Sequence, residues 1–222
     1  MALDTYLPFW NRLTEAQQRL LQNAAREERY PAGAVLHNGS ADCIGFLLVT
    51  SGQLRAYLLS EDGKELTLYR LFERDICLLS ASCMLRGIDF DITVEAERDT
   101  VVWHIPPETY KRLMDQSLAV AAYTNELMAS RFSDVMWLMD QVMNKKLDSR
   151  LSALLIEEQA LAGSDALHIT HEQLAHHLGS AREVVTRVLK YLQGEGLVRL
   201  TRGTIEILDR ARLAALAADS LR

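Results

Sequence analysis

Between Leu118 and Val142, apolar residues at Leu118, Ala121, Met128, Phe132, Val135, Met139 and Val142 recur at alternating steps of three and four, with Asn125 as the one polar member. That is the heptad seam of a helix packed on a partner helix. No Pro or Gly interrupts it, and at 1.5 Å per residue it spans roughly 37 Å, too long for an ordinary core helix. A second apolar row (Leu127, Met136 and Leu138, with Trp137 beside it) lies next to the seam. Such a helix needs cover on two sides, here its own domain and a second copy of itself. Asn125 would fix register and two-strandedness. The spacing predicts a dimerisation helix over residues 116–144; the competing reading is a central helix in a monomer's core.

Ahead of this helix the pattern changes twice. Residues 14–29 read as an amphipathic helix with Leu20, Leu21 and Ala24 inward and Thr14 as its cap. Short apolar runs follow at 35–36, 44–50, 54–59, 66–71, 76–79, 90–96 and 100–105, cut by turn residues such as Pro31-Ala32-Gly33 and Ser51-Gly52. Short strands at this spacing predict an antiparallel barrel or jelly roll. Asp62-Gly63 marks a hairpin, because Gly tolerates the positive φ of a tight turn. Pro106-Pro107 ends the sheet, so the first domain is expected over residues 1–115.

Behind the seam, Leu147, Leu151, Leu154 and Leu155 mark a helix ending near Gly163. Thr170-His171-Glu172-Gln173 has the form of a capping box, opening a helix that runs to Leu178 and stops at Gly179. Ser180-Ala181-Arg182-Glu183 repeats that form before a second helix, 184–193, which stops at Gly194. Two helices around a short Gly-containing turn make a helix-turn-helix. Residues 197–207 then read as strand, turn, strand. The expected architecture is α+β: an antiparallel jelly roll, a long dimerisation helix, and a winged helix-turn-helix over residues 145–222.

Composition narrows the class. With 49% apolar and 24% charged residues the chain reads as globular, and no apolar run approaches the 18 or so residues of a membrane span. The start carries no signal-peptide pattern, and Cys43, Cys77 and Cys83 are too few for a disulfide scaffold, so a cytoplasmic location and no membrane are expected. The net charge of -6 argues against a nucleic-acid partner until it is divided. From Lys145 onward there are 11 Lys+Arg against 10 Asp+Glu, and 13 against 20 before it. Local clustering of cations therefore matters more than the total.

The cluster that matters lies on the second helix of the motif, which enters the major groove with its first turns against base edges. Arg182, Glu183, Thr186 and Arg187 occupy those turns and are the candidate base readers. Arg bonds guanine bidentately, and Glu accepts from cytosine. Glu183 also sits where a capping box wants an acid. Val184, Val185, Val188 and Leu189 are expected to pack inward. Thr170, Ser180, Lys190, Arg199 and Arg202 are candidates for phosphate contact, which positions without specifying. His171 and His176 are five apart, so they do not form the zinc pair of a metalloprotease, and they are expected at the surface or near phosphates. No metal site and no catalytic constellation is found, so no enzyme is expected.

Pro31-x-Gly33, Val49-x-Ser51-Gly52-x-Leu54-Arg55, Glu61-x-Gly63-x-Glu65, the long helix and the stretch Ala181-Arg182-Glu183-Val184-Val185-Thr186-Arg187-Val188-Leu189 together resemble the Crp/Fnr superfamily of bacterial transcription regulators. The resemblance implies a cyclic-nucleotide-binding-like β-roll sensor, a homodimer, and a palindromic double-stranded DNA operator read by Arg182, Glu183 and Arg187. It also implies contact with RNA polymerase if the chain is an activator. Members that bind cyclic AMP carry a Gly-Glu pair and an Arg-Ser pair in the β-roll; here Leu78-Leu79 and Phe90-Asp91 stand there. A carboxylate in place of a guanidinium repels a cyclic phosphate, which argues against cyclic AMP. Three cysteines cannot supply the four ligands of an iron–sulfur cluster.

Other signals stay open. A pocket of Ile76, Cys77, Leu79, Phe90, Val135, Met136 and Trp137 would take a small-molecule effector, or haem with His37, His104, Cys77 or Cys83 as axial ligand. Cys77 and Cys83 would alternatively form a thiol redox switch. A different class of reading is a β-roll ligand-binding regulatory module that does not bind DNA.

Overall fold

The computed structural model describes residues 3–39, 44–78 and 91–221. In chain order it has α1 (Glu15–Ala24), β1 (Arg26–Tyr30), β2 (Val35–Asn38), β3 (Phe46–Ser51), β4 (Leu54–Leu59), β5 (Glu65–Leu71), β6 (Ile76–Cys77), β7 (Thr93–Ala96), β8 (Thr100–Ile105), α2 (Pro107–Gln116) and α3 (Leu118–Asn144). Then come α4 (Leu147–Ala162), β9 (Ala166–Leu167), α5 (His171–Leu178), α6 (Arg182–Gly194), β10 (Val198–Thr201), β11 (Thr204–Ile207) and α7 (Arg210–Ala217). Two compact units result: Met1–Leu59 with Leu68–Val135, and Ser60–Thr67 with Met136–Arg222.

In the first unit, two four-stranded antiparallel sheets, β1-β8-β3-β6 and β2-β7-β4-β5, form the β-roll. The run Phe46-Leu47-Leu48-Val49 shows how sequence makes the core. Side chains alternate across a strand, so an unbroken apolar run means both faces are covered. Leu47 and Val49 join Leu54, Ala56, Leu71, Val94 and Val102 between the sheets. Phe46 and Leu48 point the other way, into a second core with Phe9, Leu21, Tyr110, Leu113 and Val120. There the Phe46 and Tyr110 rings stack with centroids 4.1 Å apart. Pro107 opens α2 at a position where its missing N–H costs nothing.

The helix expected over 14–29 stops early. Its start holds: Thr14 and Gln17 form a reciprocal capping box. Ala25 then turns extended, and Arg26–Tyr30 pairs antiparallel with β8, from Arg26 opposite His104 to Tyr30 opposite Thr100. Arg26-Glu27-Glu28-Arg29 carries no apolar alternation because β1 is an edge strand with much of its surface in water. Tertiary pairing overrides local helix propensity here.

The second unit is built on Leu151, Leu155, Leu174, Val185, Leu189 and Ile205, all buried. Gly163 and Gly179 adopt left-handed φ of 61° and 62° and close α4 and α5. The wing is a three-stranded sheet, β10-β11-β9, one strand more than expected, because Ala166-Leu167 is too short to give a strand signal. Asp209 caps α7 by accepting from the Arg212 N–H. The hairpin residues Ser60–Thr67 belong to this unit as well.

Candidate nucleic-acid interface

Helix α5 starts at Thr170, whose side chain accepts from the Gln173 N–H while the Gln173 side chain accepts from the Thr170 N–H. Gly179 reverses the chain, the Ser180 N–H returns to the Ala175 carbonyl at 3.0 Å, and the Arg150 guanidinium donates to the Leu178 carbonyl at 2.8 Å. The second helix does not begin as its capping form suggests. The N-cap of α6 is Ala181, which has no side chain able to accept, and α6 starts at Arg182. Glu183 is therefore not the acid of a capping box.

Val185, Leu189 and Leu192 bury one face of α6, whereas Val184, expected inward, is exposed. Arg182, Glu183, Arg187 and Lys190 are exposed on the other side. Among the described residues, no hydrogen bond or ion pair engages these four side chains, so they face solvent with their bonding capacity free. Thr186 differs: half-buried, its Oγ1 lies 2.9 Å from His171 Nδ1. In the wing, Arg199 donates to Glu206 at 2.7 Å, while Arg202 is exposed in the turn closed by Gly203 at φ 78°. The Thr170 hydroxyl is spent in its cap and Ser180 is half-buried.

The histidines do not gather. His168 Nδ1 meets Thr204 Oγ1 at 3.2 Å, His176 Nδ1 lies 3.4 Å from Glu65, and His177 Nδ1 lies 2.9 Å from Thr67. No group of three His, Cys, Asp or Glu among the described residues could hold a metal ion. Burial, and then the nearby Arg182 cation, hold the His171 imidazole below its ordinary pKa. The tie between His171 and Thr186 was not legible in sequence, since it joins two helices through their tertiary packing.

A family model described as a cyclic nucleotide-binding domain matches residues 27–117, and one described as a Crp-like helix-turn-helix domain matches residues 149–216. The crystal structure of a Crp/Fnr-family chain from Eubacterium rectale is 55% identical over 96% of this chain and 99% of that one, with a TM-score of 0.94. The chain belongs to the Crp/Fnr family. It is also 26% identical over 210 residues to the cyclic AMP receptor protein of Thermus thermophilus, covering 95% of this chain and 96% of that protein. The transcriptional activator protein Anr of Pseudomonas aeruginosa is 27% identical over 184 residues, 78% of this chain and 72% of the relative. The chain is thus a DNA-binding transcription regulator of Crp/Fnr type.

In this Crp/Fnr chain two of the residues expected to line one effector pocket, Ile76 and Cys77, point to opposite faces of the sheet. Ile76 and Cys77 are neighbours on β6, and a strand sends neighbours to opposite faces. Ile76 packs with Phe46 and Leu48, and Cys77 packs between the sheets. Met136 is exposed, Val135 and Trp137 are half-buried, and Leu79, Phe90, Cys43 and Cys83 lie outside the described residues. His104 is hydrogen-bonded at both ring nitrogens, Nδ1 to Glu28 at 2.9 Å and Nε2 to the Ile44 carbonyl. His37 is buried with no hydrogen-bond partner for Nδ1 among the described residues.

A polar cluster that the sequence did not reveal lies in the same unit. The Arg131 guanidinium sits 4.7 Å over the Tyr69 ring and pairs with Asp134 at 3.1 Å and Asp75 at 3.9 Å. Tyr69 Oη is buried without a hydrogen-bond partner among the described residues, and burial raises its pKa well above the ordinary value.

Helix α3 presents its seam unevenly. Phe132, Met136, Met139 and Met143 are exposed at successive steps of four, three and four, with Leu118 and Val142 also exposed. Asn125 is exposed, while Ala121, Met128 and Val135 are half-buried, and Met128 packs against the first unit's core. No helix among the described residues is long and apolar enough to cross a membrane.

Proposed function

We propose that the chain is a homodimeric, sequence-specific regulator that reads a palindromic operator with α6 and answers to a small-molecule signal other than a cyclic nucleotide. The observation that carries this is the free, exposed set Arg182, Glu183 and Arg187 on the first turns of α6. Unpaired guanidiniums on a recognition helix are available for guanine, and an uncapped Glu183 is available for cytosine. Thr170, Ser180, Lys190, Arg199 and Arg202 flank that face as phosphate contacts; the Arg199–Glu206 pair makes Arg199 the weakest of them. The apolar stripe Phe132-Met136-Met139-Met143 supports pairing of two α3 helices, and a two-fold dimer of this kind would read half-sites one DNA turn apart. As an activator such a dimer would also meet RNA polymerase.

For the signal, the Thermus relative is named for cyclic AMP, but here Asp91 stands where a phosphate-binding side chain would be needed. Leu78, at the ribose position, is buried in the core. The full burial of Cys77 weighs against a thiol switch, because thiol oxidation needs access. Tyr69 Oη, desolvated and without a hydrogen-bond partner among the described residues, favours an effector that brings a hydrogen-bond acceptor. The test is an Arg182→Ala plus Arg187→Ala variant, compared with wild type on a duplex selected from a random library. Discrimination between the selected and mixed-sequence duplexes should fall at least about tenfold, one bidentate contact's worth. Unchanged discrimination would overturn the reading.

A further inference from the structure

His171 opens α5 and lines a groove of about 340 Å³ with Thr170, Glu172, Arg182, Thr201 and Thr204. The start of α5, the start of α6 and the wing wall this groove. The charged groups facing the imidazole are Arg182 from α6 and Glu172 from its own helix. The wing lines it with Thr201, Gly203, Thr204 and Ile205, none of them charged, and His168 is bonded to Thr204. A half-buried imidazole beside a guanidinium resists a second positive charge. An anion in the groove would remove that resistance, because it neutralises Arg182 and attracts the imidazolium directly.

Resting on the DNA-binding function above, we propose that this groove seats a backbone phosphate of DNA and that DNA binding is coupled to proton uptake at His171. The proton comes from solvent and goes to the imidazole; no bond between heavy atoms changes. It also reorganises Thr186. In the neutral ring with its hydrogen on Nε2, Nδ1 accepts from the Thr186 hydroxyl, which then shows DNA only lone pairs. In the imidazolium, Nδ1–H donates to Thr186 Oγ1, and the freed hydroxyl hydrogen can be given to a phosphate oxygen or a base acceptor. Protonation thus adds a charge and turns a donor outward.

The sign follows from linkage. Bound phosphate raises the pKa of His171, so affinity is lowest above the bound-state pKa. It rises as pH falls through the window between the two pKa values and levels off below the free-state value. The test titrates the full chain with a mixed-sequence duplex of about 30 base pairs, three helical turns, from about pH 8 to about pH 5.5. One coupled proton per protomer should tighten wild-type binding by at least about threefold over that range. His171→Gln should bind weakly with a flat profile. His171→Arg should bind tightly with a flat profile, and His168→Gln should keep the wild-type profile. A His171→Gln profile parallel to wild type, or a His171→Arg protein as weak as His171→Gln throughout, would overturn the proposal and leave DNA binding standing. Absence of wild-type binding at every pH would overturn both.

Discussion

The guanidinium of Arg150, on α4, donates to the main-chain carbonyl of Leu178, the last residue of α5, at 2.8 Å. Leu178 is followed by left-handed Gly179 and then by the turn into α6, so this bond fixes the helix end from which the recognition helix departs. Burial depresses the Arg150 pKa, a mark of how far the charge has been taken from water. Arg150→Ala leaves the carbonyl without its charged donor and is expected to cost about 1–3 kcal/mol. Urea denaturation would read the loss directly, and DNA affinity should fall with it. A variant as stable as wild type would show that water replaces the guanidinium at no cost.

Gly52 joins β3 to β4 at φ 89°, and a Cβ there would meet the Asp99 carbonyl at 2.4 Å and Thr100 Oγ1 at 2.5 Å. Both the backbone conformation and the space demand Gly. Gly52→Ala should therefore destabilise the first unit by about 2 kcal/mol or more. A thermal melt shifted by less than a degree would contradict this.

The exposed stripe of α3 predicts a clear change in mass. A Phe132→Glu plus Met139→Glu variant puts two carboxylates into this exposed apolar stripe, where pairing would strip them of water. Native mass measurement should find wild type at twice the chain mass and the variant at one. If the variant keeps the doubled mass, the dimer is built elsewhere.

Tyr110 Oη lies 2.8 Å from Thr124 Oγ1 inside the first unit, and burial raises its pKa above the ordinary value. Tyr30 is pushed up to about 12, first by burial and then by its hydrogen bond to Glu28. Unfolded tyrosines release their protons near pH 10. Below that both states hold the proton and no stability is lost; above it the unfolded chain ionises first, so stability falls as pH rises. Tyr110→Phe removes one such group. It should cost about 1 kcal/mol at neutral pH and make the alkaline loss shallower by up to about 1.4 kcal/mol per pH unit. Equal alkaline slopes for wild type and variant would sink the assignment.

The parts legible in sequence are those where one helix face or one strand face does one job. The seam from Leu118 to Val142 announced α3, and the Gly179 turn with Arg182 and Arg187 announced the recognition motif. Strand β1 was hidden because an edge strand in water needs no apolar alternation, so Arg26-Glu27-Glu28-Arg29 passed for helix. The grouping of Ile76 with Cys77 ignored the period of two that separates them on β6. The cap of α6 is one residue later than its sequence form suggests, because Ser180 matches a cap in type, yet the chain places Ala181 at that position and starts the helix at Arg182 rather than 184. His171 with Thr186, and Arg131 with Tyr69, are meetings of distant segments that no local pattern records.

Strand β1 has one more consequence. A sheet that ends in an open strand offers its unpaired N–H and C=O groups to any other chain that can extend it, the usual route to aggregates. Here one end of the sheet is lined by Arg26, Glu27, Glu28 and Arg29, and the opposite end, β6, is only two residues long. A foreign strand approaching the first end must strip water from four charges, and at the second it finds too little backbone to hold. The same charges that concealed β1 thus keep this sheet from growing when the chain is crowded.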